Sequence, residues 1–128
     1  MTAGEMIIAA NEIAAAAGCA VEDDEEREIE LLNLCAAELW GLSGSVREAK
    51  GLERIDYGGD VRVSSPEDEM KTEEEIYPAL SYYLASALVM PDAPIMGSLL
   101  RERGNEAICH IRLSVAPSVG RIREAYMI

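Results

Sequence analysis

His110 and the three cysteines, Cys19, Cys35 and Cys109, are the side chains of this chain best suited to nucleophilic attack or metal binding. Their spacing works against both uses. Cys109 and His110 are adjacent, and neighbours on a helix point to different faces, so they make a poor pair of ligands. There is no Cys-x-x-Cys pair, and one histidine with scattered cysteines builds no zinc site of usual spacing. Three cysteines are an odd number in apolar or helical surroundings, which reads as small buried hydrophobes in a reducing compartment. Carboxylates are plentiful, above all in the runs 22–30 and 73–75. A calcium loop, however, needs oxygen ligands at fixed loop positions around a turn glycine, and neither run has that pattern. Gly58-Gly59 is far from a phosphate-binding loop, and no serine stands in an adjacent base motif. The expectation is a non-enzymatic chain with no catalytic residue, no metal and no cofactor.

The remaining residues must then be read for architecture. The 128 residues suit one domain, 1–128, long enough for a core without staples. Nearly half the residues are apolar, chiefly Ala, Leu, Ile and Val, with one Trp and no Phe, a composition for close helix packing. The net charge of −13 is unevenly spread. Residues 1–93 hold 6 basic and 21 acidic side chains, whereas residues 94–128 hold 5 Arg and 3 Glu. Such an acidic body opposes phosphate contact with nucleic acid and keeps the chain soluble. The opening residues lack the basic region of a secretory signal, Glu5 and Glu12 interrupt the apolar stretch, and the longest apolar run is too short for a membrane span.

The periodicity predicts a mainly α fold: a small bundle of about four main helices with a β-hairpin insert and an extended C-terminal tail. Thr2 and Glu5 form a capping box for a helix over about 3–17, closed by Gly18. Asp23 or Asp24 caps a second helix, about 24–40, whose stripe Ile29, Leu32, Ala36 and Leu39 is widened by Leu31, Leu34 and Cys35. Trp40 at its end packs across the turn. Ser45 and Glu48 repeat the capping-box pattern before Lys50-Gly51, predicting one short helical turn.

Residues 54–64 alternate apolar and polar around Gly58-Gly59-Asp60. A three-residue loop pairs Tyr57 with Val61 and Ile55 with Val63, giving one apolar face and setting Asp56 opposite Arg62. An isolated hairpin is marginal, so this one must pack on the helices or on other subunits. Pro78 is placed at the first position of a helix over 78–90, with Tyr77 extended before it. A break at Met90-Pro-Asp-Ala-Pro94 leads into a last helix over about 94–113, whose apolar side is Ile95, Met96, Leu99, Leu100, Ala107, Ile108 and Ile111. The tail, about 115–128, carries Val119, Ile122, Tyr126 and Ile128, which need a surface to cover.

The run Tyr77-Pro-Ala-Leu-Ser-Tyr-Tyr-Leu-Ala-Ser-Ala-Leu, preceded by a helix pair and a strand-forming insert, resembles the head–tail connector (adaptor, head completion) proteins of tailed bacteriophages. The break, polar last helix and tail with Ile122 and Tyr126 follow in the same order. The resemblance implies a structural protein that assembles as a ring on the portal protein, extends the DNA channel and joins a tail-side connector or stopper protein. DNA is then passing cargo without sequence-specific binding, no membrane is involved, and the location is the virion head–tail junction, or the host cytoplasm during assembly. Ile55, Tyr57, Val61, Val63, Val119, Ile122 and Tyr126 are the candidate subunit or portal interface. The alternative is a small helical protein-binding or regulatory module of bacterial or prophage origin, using the Trp40 and Tyr82 region or the tail.

Overall fold

A computed structural model describes the backbone of residues 1–127 and the side chains of residues 1–115. Five helices follow one another: α1 (Ala3–Ala16), α2 (Glu25–Glu38), α3 (Trp40–Ala49), α4 (Tyr77–Val89) and α5 (Pro94–Met127), with a 3-10 turn at Glu74–Ile76 leading into α4. The fold is mainly α.

The termini of α1 and α2 form as their sequences dictate. The Thr2 hydroxyl accepts from the Glu5 N–H and the Glu5 carboxylate accepts from the Thr2 N–H, a complete capping box. Gly18 closes α1 at φ +80°, a backbone conformation that only glycine adopts without strain. Asp24 caps α2 by accepting from the Arg27 N–H.

α4 is the centre of the molecule. Ala79, Leu80, Ser81, Tyr83, Leu84, Ala85, Ser86, Leu88 and Val89 are all buried, which leaves α4 almost no outward face. A helix apolar on every side requires neighbours on every side. Here α1 and α2 pack on one part of its surface and α5 along another, with no contact between α1 and α5 among the described residues. Small residues set the spacing between α4 and α5. A Cβ on Gly104 would lie 2.4 Å from Tyr83 Cδ1, so only glycine leaves room for that ring. The Ser86 hydroxyl, buried between the two helices, donates to the Gly97 carbonyl at 2.6 Å.

Four expectations need correction. No strand forms among the described residues; the only bridge is the isolated pair Thr2–Glu69. Segment 54–64 is a strap held by side chains, because its backbone groups find partners on helices before they find each other. Val63 exchanges two hydrogen bonds with the Asn33 amide, the Ile55 carbonyl accepts from Trp40 Nε1, and the Glu53 carbonyl accepts from Arg47 Nε. Ser45 and Glu48 do not start a helix. They sit inside α3, a full ten-residue helix, where the Ser45 hydroxyl donates to the Gly41 carbonyl and Glu48 pairs with Arg54. Tyr77 is helical (φ −53°, ψ −42°), not extended, since the 3-10 turn buries Ile76 completely and delivers the chain already in helical geometry. The extended tail is also replaced: α5 continues to Met127. Pro117 has no N–H to give the Leu113 carbonyl, yet the helix continues past it, and Arg121 to Met127 are mostly strong helix formers.

Candidate functional site

The strap is the part of the chain with the densest side-chain construction, and α2 and α3 position it. Asn33 faces the interior of α2 and is 5 % exposed. Its Nδ2 donates to the Val63 carbonyl at 2.8 Å and its Oδ1 accepts from the Val63 N–H at 3.0 Å. The side-chain amide thus does what a neighbouring strand would do. Trp40 opens α3, meets the Tyr57 ring edge-on at 5.7 Å between centroids, and donates to the Ile55 carbonyl at 2.5 Å. Arg54 lies across Gly44 and bonds Ser45, Gly41 and Glu48.

Further along, the strap closes the start of α1. The Pro66 and Asp68 carbonyls accept from Gly4 N–H and Ala3 N–H at 2.8 Å, satisfying donors that a helix start leaves free. The Asp68 carboxylate accepts from the Ser64 and Ser65 N–H groups, and these bonds hold its pKa below the usual aspartate range. Near the 3-10 turn, Glu73 pairs with Arg47 at 2.9 Å and Lys50 at 3.3 Å, and its N–H donates to the Ser43 hydroxyl. Lys50 also pairs with Glu75, a bond that raises the lysine pKa and lowers that of Glu75. Thr72 is buried beside this knot with its hydroxyl unpartnered.

The strap's predicted interface residues therefore separate. Ile55 (40 % exposed) and Tyr57 (38 %) remain on the surface, Val61 is half-buried, and Val63 belongs to the core. The proposed pairing of Ile55 with Val63 and Tyr57 with Val61 does not exist. Val119, Ile122 and Tyr126 lie outside the described side chains.

A second exposed apolar feature lies on α5, where Pro94, Ile95, Ser98, Leu99 and Glu102 line an open groove. Ile95 is 80 % and Leu99 51 % exposed. On α1, Ile8 is 60 % exposed, and on α2, Leu34 is 59 % exposed. The sequence stripes placed Ile95 and Leu99 among the buried residues of the last helix. The rest of that expected side holds: Leu100, Ile108 and Ile111 are buried and Met96 and Ala107 half-buried, with Gly97 and Gly104 buried beside them.

The titratable groups are arranged for structure. Burial pushes the Cys35 thiol up to about 11, with Glu38 adding to the rise and Arg101 opposing it, so the sulfur stays protonated and unreactive at neutral pH. Arg101 lies over the Tyr83 ring, 4.3 Å from its centroid, and pairs with Glu38; the Tyr83 hydroxyl bonds Asn105. Cys109 and His110 are both exposed, and no group of three His, Cys, Asp or Glu is gathered among the described residues. Among them, too, no helix is long and apolar enough to cross a membrane.

Two structural residues escaped the sequence reading. Asn33 stands between Leu32 and Leu34, and a lone amide inside a wide apolar stripe was the available signal. Glu28 belonged to what read as a solvated acidic run, yet it is 5 % exposed and accepts from Asn11 Nδ2 at 2.9 Å. Comparison with known protein families, with curated proteins and with solved structures finds no match to this chain.

Proposed function

We propose that this chain is a non-enzymatic assembly subunit of the phage head–tail connector type, forming a ring on a portal protein. The observation that carries the reading is a set of large apolar side chains standing outside a completed core on ordered helices: Ile8, Leu34, Ile95 and Leu99. Ile95 and Leu99, one turn apart along an open groove, form the apolar patch that suits contact with other protein, while Ile8 and Leu34 stand singly on α1 and α2. The strap adds Ile55 and Tyr57, and Val61 lies beside them; the end of α5 adds Val119, Ile122 and Tyr126 by sequence. Excess acid over residues 1–93 supports a role beside DNA without adhesion, since like charge lets a duplex pass as cargo. A tail-side connector or stopper protein is the expected partner on the far face, and the virion head–tail junction the expected location, reached from the host cytoplasm.

The test is to mix the purified chain with portal rings from the same genome and to measure mass by light scattering and shape by negative-stain microscopy. The reading expects a second ring on the portal at fixed stoichiometry. No binding at tens of micromolar would sink it. The alternative, a helical protein-binding or regulatory module, draws on one specific feature, the Trp40–Tyr57 pair with Ile55 exposed beside it. That module would capture one cellular partner as a monomer, and substitutions at Tyr57 would abolish capture without affecting portal binding.

A further inference from the structure

The geometry points to a head-to-tail contact between copies of this chain, in which Ile95, Leu99 and Arg103 of one copy dock on Ile8 and Glu12 of the next. It rests on the assembly reading above and names the two faces that reading requires.

The two faces lie on helices that both pack on α4, and no contact between α1 and α5 occurs among the described residues. A subunit can therefore present one to each of two neighbours. On α5, Ile95 and Leu99 are one turn apart, and Arg103 follows one turn later on the same side. On α1, Ile8 and Glu12 have the same one-turn spacing, and Glu5 lies on the other side of Ile8. Glu5 and Glu12 are both exposed and are the only charged residues of α1. Ala9, Ala15 and Ala16 are the small residues near that face and let a second helix come close.

Charge selects this pairing over the others. The α1 face is purely acidic, so two α1 faces repel. Among the described residues Arg103 has one ion pair, with Glu106 on its own helix at 3.6 Å, and both partners are about two-thirds exposed. Such a pair is worth little, which leaves the guanidinium available to a stronger acceptor. Glu102 lines the α5 groove as well. It disfavours registers that bring it opposite Glu12 and favours the one that brings Arg103 there. The contact joins two different patches, so it is heterologous: repeated by rotation it closes into a ring, and otherwise it continues as a filament.

Complementation between two disabled chains tests the contact. Ile8→Glu spoils the α1 face and keeps α5 intact; Leu99→Glu spoils the α5 face and keeps α1 intact. Both positions are on the surface, and circular dichroism checks that each variant folds. In sedimentation velocity, the wild type is expected to grow with concentration and each variant to associate at least a hundredfold more weakly. An equimolar mixture is expected to stop at a 1:1 dimer, because one good interface remains. The charge-reversed pair Glu12→Arg with Arg103→Glu in one chain is expected to restore growth that either single reversal weakens.

If Ile8→Glu alone assembles like the wild type while Leu99→Glu does not, an α5–α5 contact replaces the one proposed. Wild-type rings unaffected by either variant overturn the contact and leave the ring reading standing. A wild type that stays monomeric up to millimolar concentration also overturns the contact, and the portal-mixing experiment then decides the ring reading by itself.

Discussion

Removing the Asn33 side-chain amide should loosen the strap more than it loosens the bundle. In Asn33→Ala both backbone groups of Val63, a residue 5 % exposed, lose their partners. A buried group left unpaired costs about 1–3 kcal/mol, so two of them set a ceiling of about 6 kcal/mol. The ceiling is not reached, because residues 51–57 are all exposed and the strap can lift off and hydrate Val63. Lifting forfeits the burial of one valine, about 1.5–3 kcal/mol. The expected loss is therefore about 2–3 kcal/mol, or roughly a 10 °C fall in melting temperature for a domain of this size. Trp40 sits under the strap and is the only tryptophan, so its fluorescence reports strap release while circular dichroism at 222 nm reports the helices. In urea, the fluorescence transition of the variant should precede the dichroism transition. Asn33→Asp adds a sign test. Its carboxylate would face the Val63 carbonyl in a buried site, which raises the folded-state pKa of the aspartate. The variant's deficit relative to wild type should then be largest at pH 7, shrink as pH falls through the raised folded value, and be smallest below about pH 4, where the protonated acid can donate again. Coincident transitions with a loss under about 0.5 kcal/mol for Asn33→Ala would refute the reasoning.

Three further outcomes are expected. Gly104→Ala drives a methyl group into the Tyr83 ring and separates α4 from α5; the overpacking cost of about 1–3 kcal/mol exceeds the helix-propensity gain of about 1 kcal/mol, so the melting temperature falls, and an unchanged or higher value would contradict the packing described. Thr72→Val removes a buried hydroxyl that has no partner and should stabilise the fold by about 1 kcal/mol in urea titration; destabilisation would indicate that the hydroxyl is bonded in solution. Asp68 has a folded-state pKa below its unfolded value, so its contribution is present above about pH 4 and is lost as pH falls through the folded value. Hydrogen exchange at Ser64 and Ser65, corrected for intrinsic rates, should become less protected there in the wild type, and Asp68→Asn should abolish that pH dependence.

The starts of α1 and α2 and the placing of α4 and α5 were legible because they rest on local chemistry. A capping box at Thr2 and Glu5, an N-cap at Asp24, a closing glycine at Gly18 and a proline in the first turn of α4 each act within a few residues of themselves. The exposed candidates Ile55 and Tyr57 were legible as apolar residues in a polar segment, while Val63, read from the same alternation, went to the core.

What the sequence determined by itself is a mainly helical chain with an acidic body and a proline-headed helix over residues 78–90. Tertiary structure decided the rest. Whether residues 54–64 pair with each other or with helices depended on Asn33, Trp40 and Arg47, which lie 6 to 30 residues away along the chain from the groups they bind. How closely α5 approaches α4 depended on the space at Gly104 for the Tyr83 ring, and that Ile95 and Leu99 stay outside was decided by what packs beside them. Alternation fixes only which side chains share a face. The partner that face meets is set by which buried backbone groups and volumes must be satisfied together, and those come from distant parts of the chain.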